Sequence, residues 1–152
     1  MDFRELTEVD LQSPEFRALL WLAVEVDDAE LTRIIEEHLP RLTTVGAVDG
    51  GSVVGFVAYD EQASPLTIEY IATAPERRGT GLGESLVRRV QEAHPGQDIF
   101  AETDDDAIGF YRRIGFVHRS APRDPRWPDR PRYACTLSAG TVAGAPSTLR
   151  SR

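Results

Sequence analysis

Residues 66–90 read Leu-Thr-Ile-Glu-Tyr-Ile-Ala-Thr-Ala-Pro-Glu-Arg-Arg-Gly-Thr-Gly-Leu-Gly-Glu-Ser-Leu-Val-Arg-Arg-Val. The stretch predicts a strand, a glycine loop and a helix. Leu66 to Ala72 is rich in apolar and β-branched residues and is stopped by Pro75. After the glycines, Leu82, Leu86, Val87 and Val90 recur at helical spacing. Arg78, Gly79, Gly81 and Gly83 place a cation and small residues at the first turn of that helix. Glycine lets a backbone approach a ligand closely. A helix start offers unpaired N–H groups and the positive end of a dipole. Together these suit a phosphate or pyrophosphate, although a plain glycine-rich turn capping a surface helix would use the same residues.

Two familiar phosphate loops are excluded. A P-loop needs a lysine after its second glycine, and the chain contains no lysine. A dinucleotide fingerprint started at Gly79 and Gly81 needs a third glycine where Glu84 stands. What remains is Arg-x-x-Gly-x-Gly, from Arg78 to Gly83. This resembles the acyl-CoA pyrophosphate loop of the GNAT family of N-acetyltransferases.

Composition narrows the class. A chain of 152 residues suits one domain with a real core. No apolar run reaches the length of a membrane span. The start, Met-Asp-Phe-Arg-Glu, lacks the basic and apolar regions of a secretory signal. The single cysteine, Cys135, allows no internal disulfide. A cytoplasmic location is therefore expected. The formal net charge of −8 argues against a nucleic-acid partner and admits a cationic substrate. No membrane partner and no metal are expected, and the protein is expected to be a monomer or a homodimer.

In chain order, Phe3 to Leu6 predicts a first strand. Ser13-Pro14 opens a helix over about 13–25, with Phe16, Leu19, Leu20 and Ala23 on one face. A second helix starts at Asp27 or Asp28, buries Leu31, Ile34, Ile35 and Leu39, and is closed by Pro40. His38 beside that stripe reads as a boundary residue. Leu42 to Val48 and Ser52 to Tyr59 flank Asp49-Gly50-Gly51 and predict a hairpin. Asp98 to Glu102 is a short strand. Thr103, Asp104, Asp105 and Asp106 then cap a helix over Ala107 to Ile114, ended by Gly115. Strands over Phe116 to Arg119 and Arg132 to Leu137 enclose a proline-rich loop. One domain over 1–137 is expected, with a disordered tail over 138–152.

A second motif joins the first. Asp104 to Phe116 resembles the GNAT segment Asn-x-x-Ala-x-x-Phe-Tyr-x-x-x-Gly-Phe, and it lies one strand downstream of the glycine loop. With the order of elements, the resemblance covers roughly 3–137. It implies an α/β (α+β) fold: a mixed, mostly antiparallel sheet flanked by about four helices. It also implies a cytoplasmic acyl-CoA-dependent N-acyltransferase that moves acetyl from acetyl-CoA to an amine, a small molecule or a peptide N-terminus, by direct attack. A binding or sensing module for acyl-CoA without turnover is the alternative.

The resemblance implies site residues as well. Pantetheine would pair with the strand backbone at Ile71, Ala72 and Thr73. Pyrophosphate would rest on Arg78, Gly79, Thr80, Gly81, Leu82 and Gly83, and Asp104 and Phe110 would also hold the cofactor. The Ile71 N–H would hold the oxyanion, and Tyr111 would be the general acid. For the base, strand alternation puts Thr67, Glu69 and Ile71 on one face, making Glu69 the candidate. The family's glutamate falls instead at Thr67, so Glu69 either takes the proton or only fixes substrate charge. Glu102 is a weaker candidate. Aspartate at 104 departs from the usual asparagine and is either a cofactor acceptor or a helix cap. The acceptor end would carry Trp21, Glu25, Asp27, Asp28, Arg123, Arg126, Trp127 and Arg130. These residues point to an amine, to an acid group, or only to solvated charge.

Overall fold

The computed structural model describes residues 1–140, so the expected tail lies, beyond Gly140, outside the described residues. The elements are β1 Asp2–Glu5, α1 Glu8–Leu11, α2 Pro14–Val24 and α3 Asp28–Arg33. There follow β2 Thr43–Asp49, β3 Ser52–Asp60, β4 Leu66–Thr73 and α4 Leu82–Ala93. The last are β5 Ile99–Asp104, α5 Ile108–Arg113, β6 Val117–Ala121 and β7 Arg132–Leu137.

Local chemistry sets the boundaries. Ser13 Oγ accepts from the Phe16 N–H at 3.2 Å, with Pro14 at the first helical position. Gly50 and Gly51 have φ of 60° and 83°, the left-handed pair that a two-residue hairpin turn requires. The one-turn α1 is an addition to the expected helices. Thr7 and Asp10 cap each other reciprocally, and Arg4 grips both carboxylate oxygens of Asp10 at 2.6 and 3.0 Å. The Thr-x-x-Asp spacing is a shortened capping box and was the sequence signal for it. Pro40 does not end α3 directly: a π turn over Ile34–His38 and a 3₁₀ turn over Leu39–Arg41 intervene.

The seven strands lie in the order β1-β2-β3-β4-β5-β7-β6, and only the β4–β5 pair is parallel. This is the mixed, mostly antiparallel sheet expected. Helices cover both faces. Phe16 of α2 meets Phe56 of β3 with ring centroids 4.7 Å apart. A side chain at the neighbouring Gly55 would instead run into Leu82 of α4, 3.0 Å from its Cδ2. Phe56 and Gly55 thus mark the α2 and α4 faces.

One irregularity shapes the site. Ala58 lies opposite Tyr70, but Tyr59 lies opposite Ile68, so Glu69 is an extra residue in β4. This β-bulge reverses the alternation. Thr67, opposite Asp60, falls on the α2 face, whereas Ile71, opposite Val57, falls on the α4 face. The single face expected for Thr67, Glu69 and Ile71 is therefore corrected. The bulge also ends the parallel pairing. β4 and β5 pair only from Leu66, Thr67 and Ile68 to Ile99, Phe100 and Ala101. Beyond that point β4 follows β3 to Thr73, and β5 follows β7 to Asp104. A gap opens between them.

Candidate functional site

The gap continues into a cleft of about 890 Å³. One wall is the end of β4: Ile71, Ala72 and Thr73. The Ala74 N–H donates to the Val54 carbonyl at 2.8 Å. Alternation therefore turns the N–H of Ala72 toward β3 and those of Ile71 and Thr73 toward the gap. A row of backbone groups without a strand partner is a seat for an extended, amide-bearing ligand.

At the mouth lies the glycine loop. Arg78, Gly79, Gly81, Leu82 and Gly83 all line the cleft. Gly79 and Gly81 have φ of 77° and 83°, so the loop follows a path that other residues adopt only with strain. Gly81 begins α4 with no side-chain cap, which leaves the first-turn N–H groups for a ligand. The two arginines differ. Arg77 is tied to Asp49 in the β2–β3 hairpin, while exposed Arg78 has no ion pair among the described residues. Thr80 does not line the cleft, and its hydroxyl donates to the Arg77 carbonyl, closing the turn.

The far wall is α5. Phe110 lies against α4, where a Cβ on Gly83 would stand 2.8 Å from its ring. Gly83 is thus needed for close approach of the two helices. Tyr111 lines the cleft, is only 5% exposed, and packs edge-on to Phe110 and Phe116 at 5.1 and 5.0 Å. Burial, followed by the neighbouring Cys135 thiol, pushes its phenol above the ordinary tyrosine value. A phenol so placed keeps its proton at neutral pH and can give it away.

Besides Thr80, three of the residues named from sequence for catalysis or the cofactor stand apart. Exposed Glu69, on the bulge, does not line the cleft. Glu102 lies 3.5 Å from Arg132. Asp104 does not line it either: its Oδ1 accepts from the N–H groups of Asp106 and Ala107 at 3.0 and 3.3 Å, capping the approach to α5. The arginines of the proline-rich loop all have partners, Arg130 outside the loop. Arg126 grips Asp124 at 2.7 Å, Arg123 donates to the Pro128 carbonyl at 2.9 Å, and Arg130 reaches Asp106 at 3.5 Å.

The sequence reading missed one pair altogether. His38 Nδ1 lies 2.6 Å from the Tyr70 hydroxyl, on the α2 face beside the bulge. The π turn carries His38 to β4, and no spacing rule links residues so far apart. Burial first, then the Glu69 charge, raises the Tyr70 phenol.

A strand gap, a glycine loop at a helix start and a buried tyrosine on the facing helix thus meet in one cleft. The Acetyltransferase (GNAT) family model matches residues 5–116, and the chain belongs to the GNAT family. Among solved structures it is similar to an aminoglycoside 6′-N-acetyltransferase complexed with coenzyme A. Identity there is 19%, the match covers 97% of this chain and 100% of that one, and the TM-score is 0.73. The aminoglycoside 6′-N-acetyltransferase from Enterococcus faecium gives 19%, 97%, 100% and 0.68. A structure from Corynebacterium glutamicum, described as histone acetyltransferase HPA2 and related acetyltransferase, gives 21%, 95%, 97% and 0.69. At these identities the likeness is one of fold. No curated protein matches the chain.

Proposed function

We propose that this protein moves an acetyl group from acetyl-CoA to an amine, by direct attack within one cleft that holds both. The observation that carries the reading is the gap where β4 leaves β5 after Ile68, bounded by the glycine loop and Tyr111. A pantetheine arm laid in the gap meets the free N–H groups of Ile71 and Thr73, with Ala72 between them. Pyrophosphate rests on Arg78, Gly79 and Gly81 and on the N–H groups of Leu82 and Gly83. Thr80 supports the loop. Phe110 walls the arm, and Asp104 holds the start of α5 in place.

The amine must first lose a proton. Glu69, outside the cleft lining, takes part in this through water. The nitrogen then attacks the thioester carbonyl carbon, and the Ile71 N–H stabilises the oxyanion that develops. The carbon–sulfur bond breaks, the Tyr111 phenol gives its proton to the departing thiolate, the nitrogen sheds its remaining extra proton to water to leave the amide, and Tyr111 takes a proton back from water. The position of Glu69 outside the cleft favours a second reading, an acyl-CoA-binding module without turnover. Release of free coenzyme A on a panel of small amines and peptide N-termini separates the two.

The loop is tested by Gly81→Asp beside Gly81→Asn. Both side chains enter open space at a left-handed position, and both tolerate it better than most. Only aspartate sets a negative charge against the pyrophosphate. Calorimetry should show a modest loss of coenzyme A affinity for asparagine and at least a further tenfold loss, about 1.4 kcal/mol, for aspartate. Equal affinities would remove the loop from the site.

A further inference from the structure

Three acids lie where α2 turns into α3, and two of them are committed. Asp27 Oδ1 accepts from the Glu30 N–H at 2.8 Å and caps α3. Asp28 Oδ1 accepts from Arg17 Nη2 at 2.6 Å. The Glu25 carboxylate has no hydrogen bond or ion pair to a described residue. Glu25 is also the one of the three that lines the cleft, together with Ile71 and Tyr111.

Its backbone is held at some cost. Glu25 has φ of 48° and ψ of 52°, and among the described residues it is the only one besides glycines with positive φ. A left-handed residue closing a helix is usually glycine, for which that conformation is free. A glutamate kept there against its preference points to use of the side chain. The surroundings favour a cation. Glu25 closes the C-terminal end of α2, where the helix dipole is negative. Leu22, one turn back, adds an apolar wall to the same cleft.

We propose that Glu25 is the seat of the acceptor's ammonium group, and that the acceptor is a cationic amine with an apolar stem. This rests on the N-acyltransferase reading above. The carboxylate accepts a charge-assisted hydrogen bond from the ammonium. It thereby selects positively charged acceptors over neutral or acidic ones of the same size, because an anion would meet both its charge and the helix end.

The test uses the full chain saturated with coenzyme A, and calorimetry with 1,4-diaminobutane, spermidine and benzylamine, beside the neutral 1,4-butanediol. The parent should bind at least one amine and not the diol. Glu25→Gln, which keeps the left-handed backbone, should weaken that amine by about ten- to hundredfold. Glu25→Gly should weaken it equally while raising the melting temperature, since it relieves the backbone. Loss of binding in a more stable protein excludes misfolding as the cause. Coenzyme A affinity should stay within about twofold of the parent in both variants. Amine affinity unchanged by Glu25→Gln, diol binding as tight as the amine's, or no amine binding to the parent would each overturn the proposal. Failure of the parent to bind coenzyme A would instead overturn the acyltransferase reading itself.

Discussion

Tyr111 shows how much a single side chain's surroundings change its chemistry. The motif Phe110-Tyr111 names it, but nothing in the motif measures its burial. Enclosed by Phe110 and Phe116, it has a phenol raised above the ordinary value. An acid with a raised pKa stays protonated at every pH below that value. If Tyr111 supplies the proton to the thiolate, kcat should not fall with rising pH up to about 10, where an ordinary tyrosine would begin to ionise. Tyr111→Phe should lower kcat by about 10²- to 10⁴-fold. Coenzyme A affinity should hardly move, because ring and packing are kept. Steady-state rates from pH 6 to 10, with calorimetry on both proteins, decide this. A descending limb near pH 9 that vanishes in Tyr111→Phe would contradict the raised value, and an unchanged kcat would leave Tyr111 as core. Glu69 is the contrasting case. Alternation alone puts it beside Ile71, but a single inserted residue reverses alternation, and nothing in Ile68-Glu69-Tyr70 announces a bulge.

Among the elements, those written in local chemistry were legible. Ser13-Pro14, Asp49-Gly50-Gly51 and Gly115 marked boundaries that the chain keeps, and β7 begins and ends at Arg132 and Leu137 as expected. The π turn before His38 and the bulge at Glu69 were not, since both depend on partners elsewhere in the fold. The gap beside β4 carries its own prediction. The amides of Ile71 and Thr73 face no strand, whereas those of Ala72 and Ala74 face β3. Hydrogen exchange in the free protein should therefore be fast at Ile71 and Thr73 and slow at Ala72 and Ala74. Coenzyme A should slow Ile71 and Thr73 selectively if its pantetheine arm adds as a strand. Protection appearing only in the glycine loop would mean that the arm lies elsewhere.

For the molecule as a whole, the resemblance supplied the sheet's character and the residues alone supplied its pieces, but no local signal gives strand order. Nothing in Arg132 to Leu137 says that it inserts between β5 and β6, yet it pairs with both. It buries Ala134, Cys135 and Leu137. This placement bears on where the domain ends. The family match stops at residue 116, but without β7 the sheet would lose its link between β5 and β6. Just beyond β7, the Ala139 N–H donates to Asp98 Oδ1 at 2.7 Å and pins the chain to the start of β5. We therefore propose a domain over 1–137, fastened by the next two residues. A chain ending at Gly140 should match the full chain in melting temperature and in coenzyme A affinity. A chain ending at Pro131 should fail to give a cooperative transition, because Ile99, Ala101 and the Tyr111 pocket lose their cover. Acetyl-CoA at about a hundred times Kd should stabilise the full and the Gly140 chains alike, by ~2.7 kcal/mol. Thermal melts of the three chains, with and without acetyl-CoA, read both effects. A cooperative, acetyl-CoA-responsive melt from the Pro131 chain would show that β7 is dispensable, and a loss of response in the Gly140 chain would place part of the site beyond it.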